Sequence, residues 1–168
     1  MTGGSGAEHN RAMHPNAQRI QDTLAALGAS ATVQELAAST RTAAEAAAAL
    51  GTTVAQIAKS LVFLADGRPV LVIASGANRV SLDKLSGLLG GPVTRADAEA
   101  VRQHTGFPIG GVAPVGHASA LRILLDQDLF LYPEIWAAAG TPHAVFRTSP
   151  AELERITGGE IADVRAHE

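Results

Sequence analysis

The chain has 168 residues and a formal charge of −3 at pH 7, with 46% apolar residues, 17% charged residues and few aromatics. That length fits one domain able to bury about two-thirds of its unfolded surface around an aliphatic core, and the balance excludes both a disordered chain and a protein that coats a nucleic-acid duplex. Without cysteine there is no disulfide framework, thiolate nucleophile or thiolate zinc site.

Residues 1–12 are Gly, Ser and polar without periodicity and read as a mobile tail, leaving one domain over 13–168. The opening "MTGGSGAEHNRAMHP" has no apolar h-region, and the longest apolar stretch, Leu61 to Ala77, is broken by "DGRP". A soluble, cytoplasmic protein with no membrane contact is expected. Pro15 suits a first helical turn, Ile20, Leu24 and Leu27 share one face, and Gly28 ends that helix. In "TRTAAEAAAALG" the Thr42 to Glu45 spacing forms a capping box and Gly51 closes a second helix. "TTVAQIA" reads as a further short helix leading to Lys59.

"KSLVFLA" and "PVLVIAS", joined at Asp66-Gly67, predict a hairpin whose strands are apolar on both faces, as in a sheet covered on each side. "SLDKLSGLLG" follows as a helix capped by Ser81, then "PVTRA" as a strand and "DAEAVRQHTG" as a helix ending at Gly106. After the glycine-rich loop "FPIGGVAPVGH" come "LRILLD" as a strand, "LFLY" as a possible second one, and "HAVFRTS" as another. "SPAELERITGG" is a helix with Ser149 as cap, and "EIADVR" a last edge strand. The fold class is therefore α/β of a mixed, α+β-like kind: a single domain with a mixed, largely antiparallel sheet wrapped by helices, and not a doubly wound one.

Lys59 and Lys84 are the two lysines, against eleven arginines. A compact ammonium suits a point contact to an oxyanion or phosphate, although a lysine opening a strand also serves simply by snorkelling to solvent. The loop from Gly106 to His117 has glycines and prolines and no acidic residue, which fits an anion-binding concavity and equally a connection needing unusual backbone angles. Ser75, Gly76, Asn78 and Arg79 stand where a strand runs into a helix, a common place for binding groups. His117 and His143 are lone histidines whose roles stay open, and no His-x-x-x-His, Glu-x-x-His or carboxylate cluster offers a metal site. "GxSxG" is missing, so a serine hydrolase lacks its signature.

The blocks "TAAEAAAALGTTVAQIAKSLVF", "VLVIASGANRVSLDKL", "GFPIGGVAPVGH" and "LDQDLFLYPEIWAAAGTPHAVFRTSPAELERITGG" occur in that order over about residues 15–165. In this the chain resembles the YbaK/ProX family of free-standing aminoacyl-tRNA deacylases, relatives of the editing domain inserted in bacterial prolyl-tRNA synthetases. The resemblance implies hydrolysis of the ester between a wrong, small amino acid and the 3′-terminal adenosine of tRNA, without metal or other cofactor. It puts the family's lysine on Lys59 and its GxxxP loop on Gly110, Gly111 and Pro114 as the catalytic set. Ser75, Gly76, Asn78, Arg79 and His143 become substrate-binding candidates, His143 for specificity. Mischarged tRNA is the implied partner, with a synthetase partner and a monomer or weak homodimer left open. A non-catalytic module of the same fold, binding a tRNA end or a nucleotide, is the alternative.

Overall fold

A computed structural model describes residues 13–167, so the tail expected at 1–12 lies outside the described residues. Five α-helices are described: α1 Pro15–Ala26, α2 Ala43–Leu50, α3 Leu82–Leu89, α4 Ala98–Thr105 and α5 Pro150–Thr157. Eight strands accompany them: β1 Val33–Glu35, β2 Ile57–Ala65, β3 Arg68–Ser75, β4 Val93–Arg95, β5 Arg122–Asp126, β6 Ile135–Ala138, β7 Ala144–Thr148 and β8 Glu160–Ala162. They form one sheet in the order β1-β7-β6-β2-β3-β5-β8, with β4 added to the β2 edge. β1/β7, β6/β7, β2/β3 and β2/β4 pair antiparallel, while β2/β6, β3/β5 and β5/β8 pair parallel. The mixed, largely antiparallel domain expected from the sequence is present.

The helix ends form as their residues dictate. Thr42 and Glu45 make a reciprocal capping box, Ser81, Asp97 and Ser149 cap α3, α4 and α5, and α2 to α5 each end on a left-handed glycine. Strand β3 shows why both faces are apolar. Leu71 and Ile73 pack into a core with Ile20, Leu24, Phe107 and Leu153, whereas Val70 and Val72 turn the other way onto Leu85, Phe63 and Val93. A third cluster sets Ala46 and Ala47 of α2 on Ile57, with Trp136 beside them. Helices α1, α4 and α5 thus cover one face, and α2 and α3 the other.

Two local readings are corrected, and two short strands are added. "TTVAQIA" is one 3-10 turn, Val54–Gln56, closed by Thr53 and Gln56, and β2 begins at Ile57, so Lys59 is its third residue. "LFLY" belongs to a 3-10 turn, Gln127–Leu131, started by the Asp126 side chain accepting from the Asp128 N–H. β1 and β6 were not anticipated: three and four residues are too short to display a period of two, and "IWAA" carries no β-branched pattern beyond Ile135.

Candidate active site

Strand β2 has a complete neighbour on one side only. Toward β6 its ladder holds Ile57 and Ala58, and toward β4 it holds Phe63, Leu64 and Ala65. Between them, among the described residues, one main-chain bond reaches that edge, from the Ala96 N–H to the Val62 carbonyl at 3.1 Å. A cavity of about 380 Å³ occupies this gap in the sheet. Because β2 alternates, Lys59 shares the face of Ile57 and Phe63, and Ser60 that of Ala58 and Val62. Both nevertheless line the cavity, since the missing neighbour opens the sheet from one face to the other.

Three loops meet beside it. The Thr40 N–H and hydroxyl donate to the Pro142 carbonyl at 2.6 and 3.0 Å, and the Leu36 N–H to the His143 carbonyl at 2.7 Å. The third is the turn closed by the Gly111 N–H on the Pro108 carbonyl at 2.9 Å, with Gly110 at φ +88°. That φ favours glycine. A Cβ at Gly111 would stand 2.8 Å from Thr141 Cα, so the second glycine admits the neighbouring backbone.

The charge balance is one-sided. Lys59, Arg41 and Arg95 line the cavity, and no Asp or Glu does. Burial pulls the Lys59 ammonium below the usual lysine range, the positive field of Arg95 adds to this, and Asp126, on β5 two strands away, opposes it. Ser60 contributes a second unusual group: its Oγ is buried with no hydrogen-bond partner, which costs roughly 1–3 kcal/mol in a folded protein. Trp136 closes one side and carries the Arg147 guanidinium 6.0 Å from its ring centroid.

Of the residues singled out from the sequence, Lys59 and Gly110 line this cavity together. Gly111 and Pro114 are buried in the loop behind Gly110. Ser75 is buried on β3, its hydroxyl donating to the Ala55 carbonyl at 2.8 Å and its N–H to Asp126 Oδ2 at 3.0 Å. Gly76 gives room to the Val54 carbonyl and to Ala43. Asn78 spans Asp126 and Asp128 at 2.9 and 2.8 Å, fixing the β3 and β5 ends together. Arg79 is exposed and its carbonyl accepts from the Ala166 N–H. His143, exposed, holds the Ala38 carbonyl through Nδ1 at 3.1 Å, which steadies the loop before Arg41. His117 sits elsewhere, bonded through Nε2 to the Ala113 carbonyl at 2.7 Å and edge-on to Phe107, and its burial lowers its basicity. The reading from sequence missed Ser60, Arg41, Arg95 and Trp136. Ser60 stood next to the lysine, and Trp136 is the single tryptophan, but only the sheet gap unites them.

Among the described residues no three His, Asp or Glu side chains gather as a metal-holding group, and no helix is long and apolar enough to cross a membrane.

Known proteins share this sequence and architecture. A crystal structure of "a putative trans-editing enzyme for prolyl tRNA synthetase" superimposes with a TM-score of 0.88 at 50% identity, covering 93% of this chain and all of that one. YwhH of Bacillus subtilis, an uncharacterized protein, is 28% identical over 130 residues, 77% of this chain and 83% of its own length. The proline–tRNA ligase of Nitratidesulfovibrio vulgaris is 36% identical over 86 residues, which are 51% of this chain but 15% of the ligase. The aminoacyl-tRNA editing domain family matches residues 37–156, a span that holds the whole cavity from Thr40 to Val145, and the chain belongs to that family.

Proposed function

We propose that this chain is a trans-editing hydrolase that removes a small, wrongly attached amino acid from tRNA without a metal ion. The observation that carries the reading is the cavity at the open edge of β2, where Lys59 and Gly110 meet in a site lined by three cations and no carboxylate. Such a site attracts the phosphates of an acceptor end and the negative charge that builds up on an ester carbonyl under attack. Water adds to the carbonyl carbon and gives up a proton, while the C=O electron pair moves to oxygen. Collapse restores the C=O and breaks the bond to the ribose oxygen, which leaves with a proton. Lys59 and Gly110 act by holding the 3′ end so that the ester faces water, and an ester needs little more than positioning and charge stabilisation.

Alanines at 43, 46, 58, 96, 137 and 138 keep the walls short, and the volume of about 380 Å³ must also receive part of the terminal adenosine. A small aminoacyl group suits what is left. Editing of this kind has a physical cause: one methylene is worth only about 1–3 kcal/mol to a synthetase pocket, so near-cognate amino acids are attached and need a second, hydrolytic sieve.

The test is deacylation of a panel of mischarged tRNAs with and without EDTA. Small aminoacyl groups should be released and phenylalanyl or tyrosyl groups spared, with EDTA causing no loss. Binding of the acceptor end without turnover on any ester would instead favour a non-catalytic module. Loss on chelation that zinc or magnesium restores would remove the metal-independent mechanism.

A further inference from the structure

Ser60 has no assigned role, yet it combines three features that no other described residue shares. Its hydroxyl oxygen is the one buried side-chain polar atom without a partner among the described residues. It lines the cavity. Its main chain faces the gap in the sheet. The Gly76 N–H donates to the Ile57 carbonyl on the β3 side, and the Ala96 N–H to the Val62 carbonyl on the opposite edge. Antiparallel strands alternate the direction of these groups residue by residue, so the Ser60 N–H and carbonyl point, like those of Val62, away from β3. There the β6 ladder has stopped at Ala58 and the β4 ladder has not begun. Ser60 is itself partly exposed while its Oγ is shielded.

Buried polar groups are almost always paired, and an orphan calls for an explanation. The hydroxyl has no hydrogen bond that must be broken before it can turn about χ1. A neutral donor pair in a site lined by cations and no carboxylate suits an anionic oxygen far better than an ammonium. We propose that the main-chain N–H and hydroxyl of Ser60 donate to the carbonyl oxygen of the aminoacyl ester and hold the oxyanion that forms when water adds to it. This rests on the hydrolytic reading above and names the contact to the reacting group within that site. Ser60 forms no covalent bond in the step: water supplies the new oxygen, and the ribose oxygen leaves.

The experiment compares wild type, Ser60→Ala and Ser60→Thr by single-turnover deacylation of mischarged tRNA and by thermal melting. An oxyanion donor acts in the transition state, so Ser60→Ala should lower kcat by about a hundredfold with KM little changed, the main-chain N–H remaining. Its Tm should equal or exceed that of wild type, because the substitution deletes an unpaired buried hydroxyl. Ser60→Thr keeps the hydroxyl on a strand-favouring residue and should retain activity to within about tenfold. A Ser60→Ala enzyme with kcat within twofold of an active wild type overturns this inference and leaves the hydrolytic reading standing. So does a loss of activity accompanied by a lowered Tm and not rescued by threonine, which marks a packing role. A wild type that cleaves no aminoacyl ester overturns both.

Discussion

Gly110 lies so close to Arg41 that a Cβ built on it would stand 2.5 Å from Arg41 Cγ and 3.0 Å from the Arg41 carbonyl. The glycine therefore does two things at once: it adopts φ +88°, and it lets the loop before α2 close on the Pro108 turn. Gly90 separates these effects, since it has φ +80° and open space around its would-be Cβ. Gly90→Ala should cost about 1 kcal/mol, from backbone conformation alone. Gly110→Ala should cost more and also displace Arg41 and the loop from the cavity, lowering deacylation by at least tenfold. Melting curves and initial rates on the two variants check this. Equal losses of Tm with no difference in rate would show that the Gly110 turn is only a connection.

With two lysines in the chain, carbon-13 labelling at lysine Cε yields two resonances to titrate, and Lys59→Arg assigns them. The Lys59 signal should titrate below the usual lysine range, first because of burial and second because of Arg95. Arg95→Gln removes a like charge and should move the transition upward. The stability consequence has a definite sign. A lysine whose folded pKa lies below its unfolded one leaves the unfolded state with more bound protons between the two values, so stability rises with pH across that window. The burial cost of the ammonium is thus fully present below the folded pKa and relieved as the pH rises through the window up to the unfolded one. A Lys59 resonance titrating in the usual range, unmoved by Arg95→Gln, contradicts the half-buried placement.

Much of the fold was legible because its signals are local. Thr42, Ser81 and Ser149 announce helix starts, Gly51, Gly90, Gly106 and Gly158 announce ends, and Asp66-Gly67 announces the hairpin that became β2 and β3. The short strands were not legible. β1 exists because Val33 to Glu35 find β7, and β6 because Ile135 to Ala138 find β7 on one side and β2 on the other. The site followed the same division. Lys59 and Gly110 were visible through residue type and family pattern, but the cavity arises where β6 leaves β2 before β4 joins it, a long-range event. Nothing local in the sequence joins Arg41 to Arg95, which come together only at the gap.

Acceptor-end binding should depend on Arg41 and Arg95 and not on Arg79. From the sequence, Arg79 stood among the substrate-binding candidates. In the structure Arg79 is exposed and outside the cavity lining, and Arg147 is engaged by Glu134 at 3.6 Å over Trp136. Each phosphate neutralised on a single strand contributes about −0.7 to the slope of log K against log salt. With few contacts the wild-type slope should be shallow, about −2, and Arg41→Ala and Arg95→Ala should each make it shallower by roughly one phosphate contact. Arg79→Ala should leave it unchanged. Titrations of a labelled acceptor-stem RNA at four salt concentrations measure this, and a slope matching eight or more phosphates would reveal an extended surface beyond the cavity.

The sharpest expectation concerns Lys59 itself. As the third residue of β2 it is anchored on both sides, by Ile57 beneath α2 and by the Leu61 and Phe63 cluster, so a paired strand fixes where its side chain starts. If it merely solvated that strand, Lys59→Arg would be nearly silent, because charge and apolar stem both survive. A guanidinium is wider and planar, and here it would enter a cavity of about 380 Å³ that Arg95 and Arg41 already line. The 3′ end would shift relative to Gly110, and misplacement of a reacting group by about 1 Å can cost about a hundredfold. Lys59→Ala should therefore abolish most deacylation, and Lys59→Arg should recover little of it. Neither should unfold the protein, since no carboxylate is ion-paired to Lys59 among the described residues and the alanine variant removes a desolvated charge. Single-turnover rates with parallel melting curves decide the matter: near-wild-type rates for both variants at unchanged Tm would return Lys59 to a solvating role.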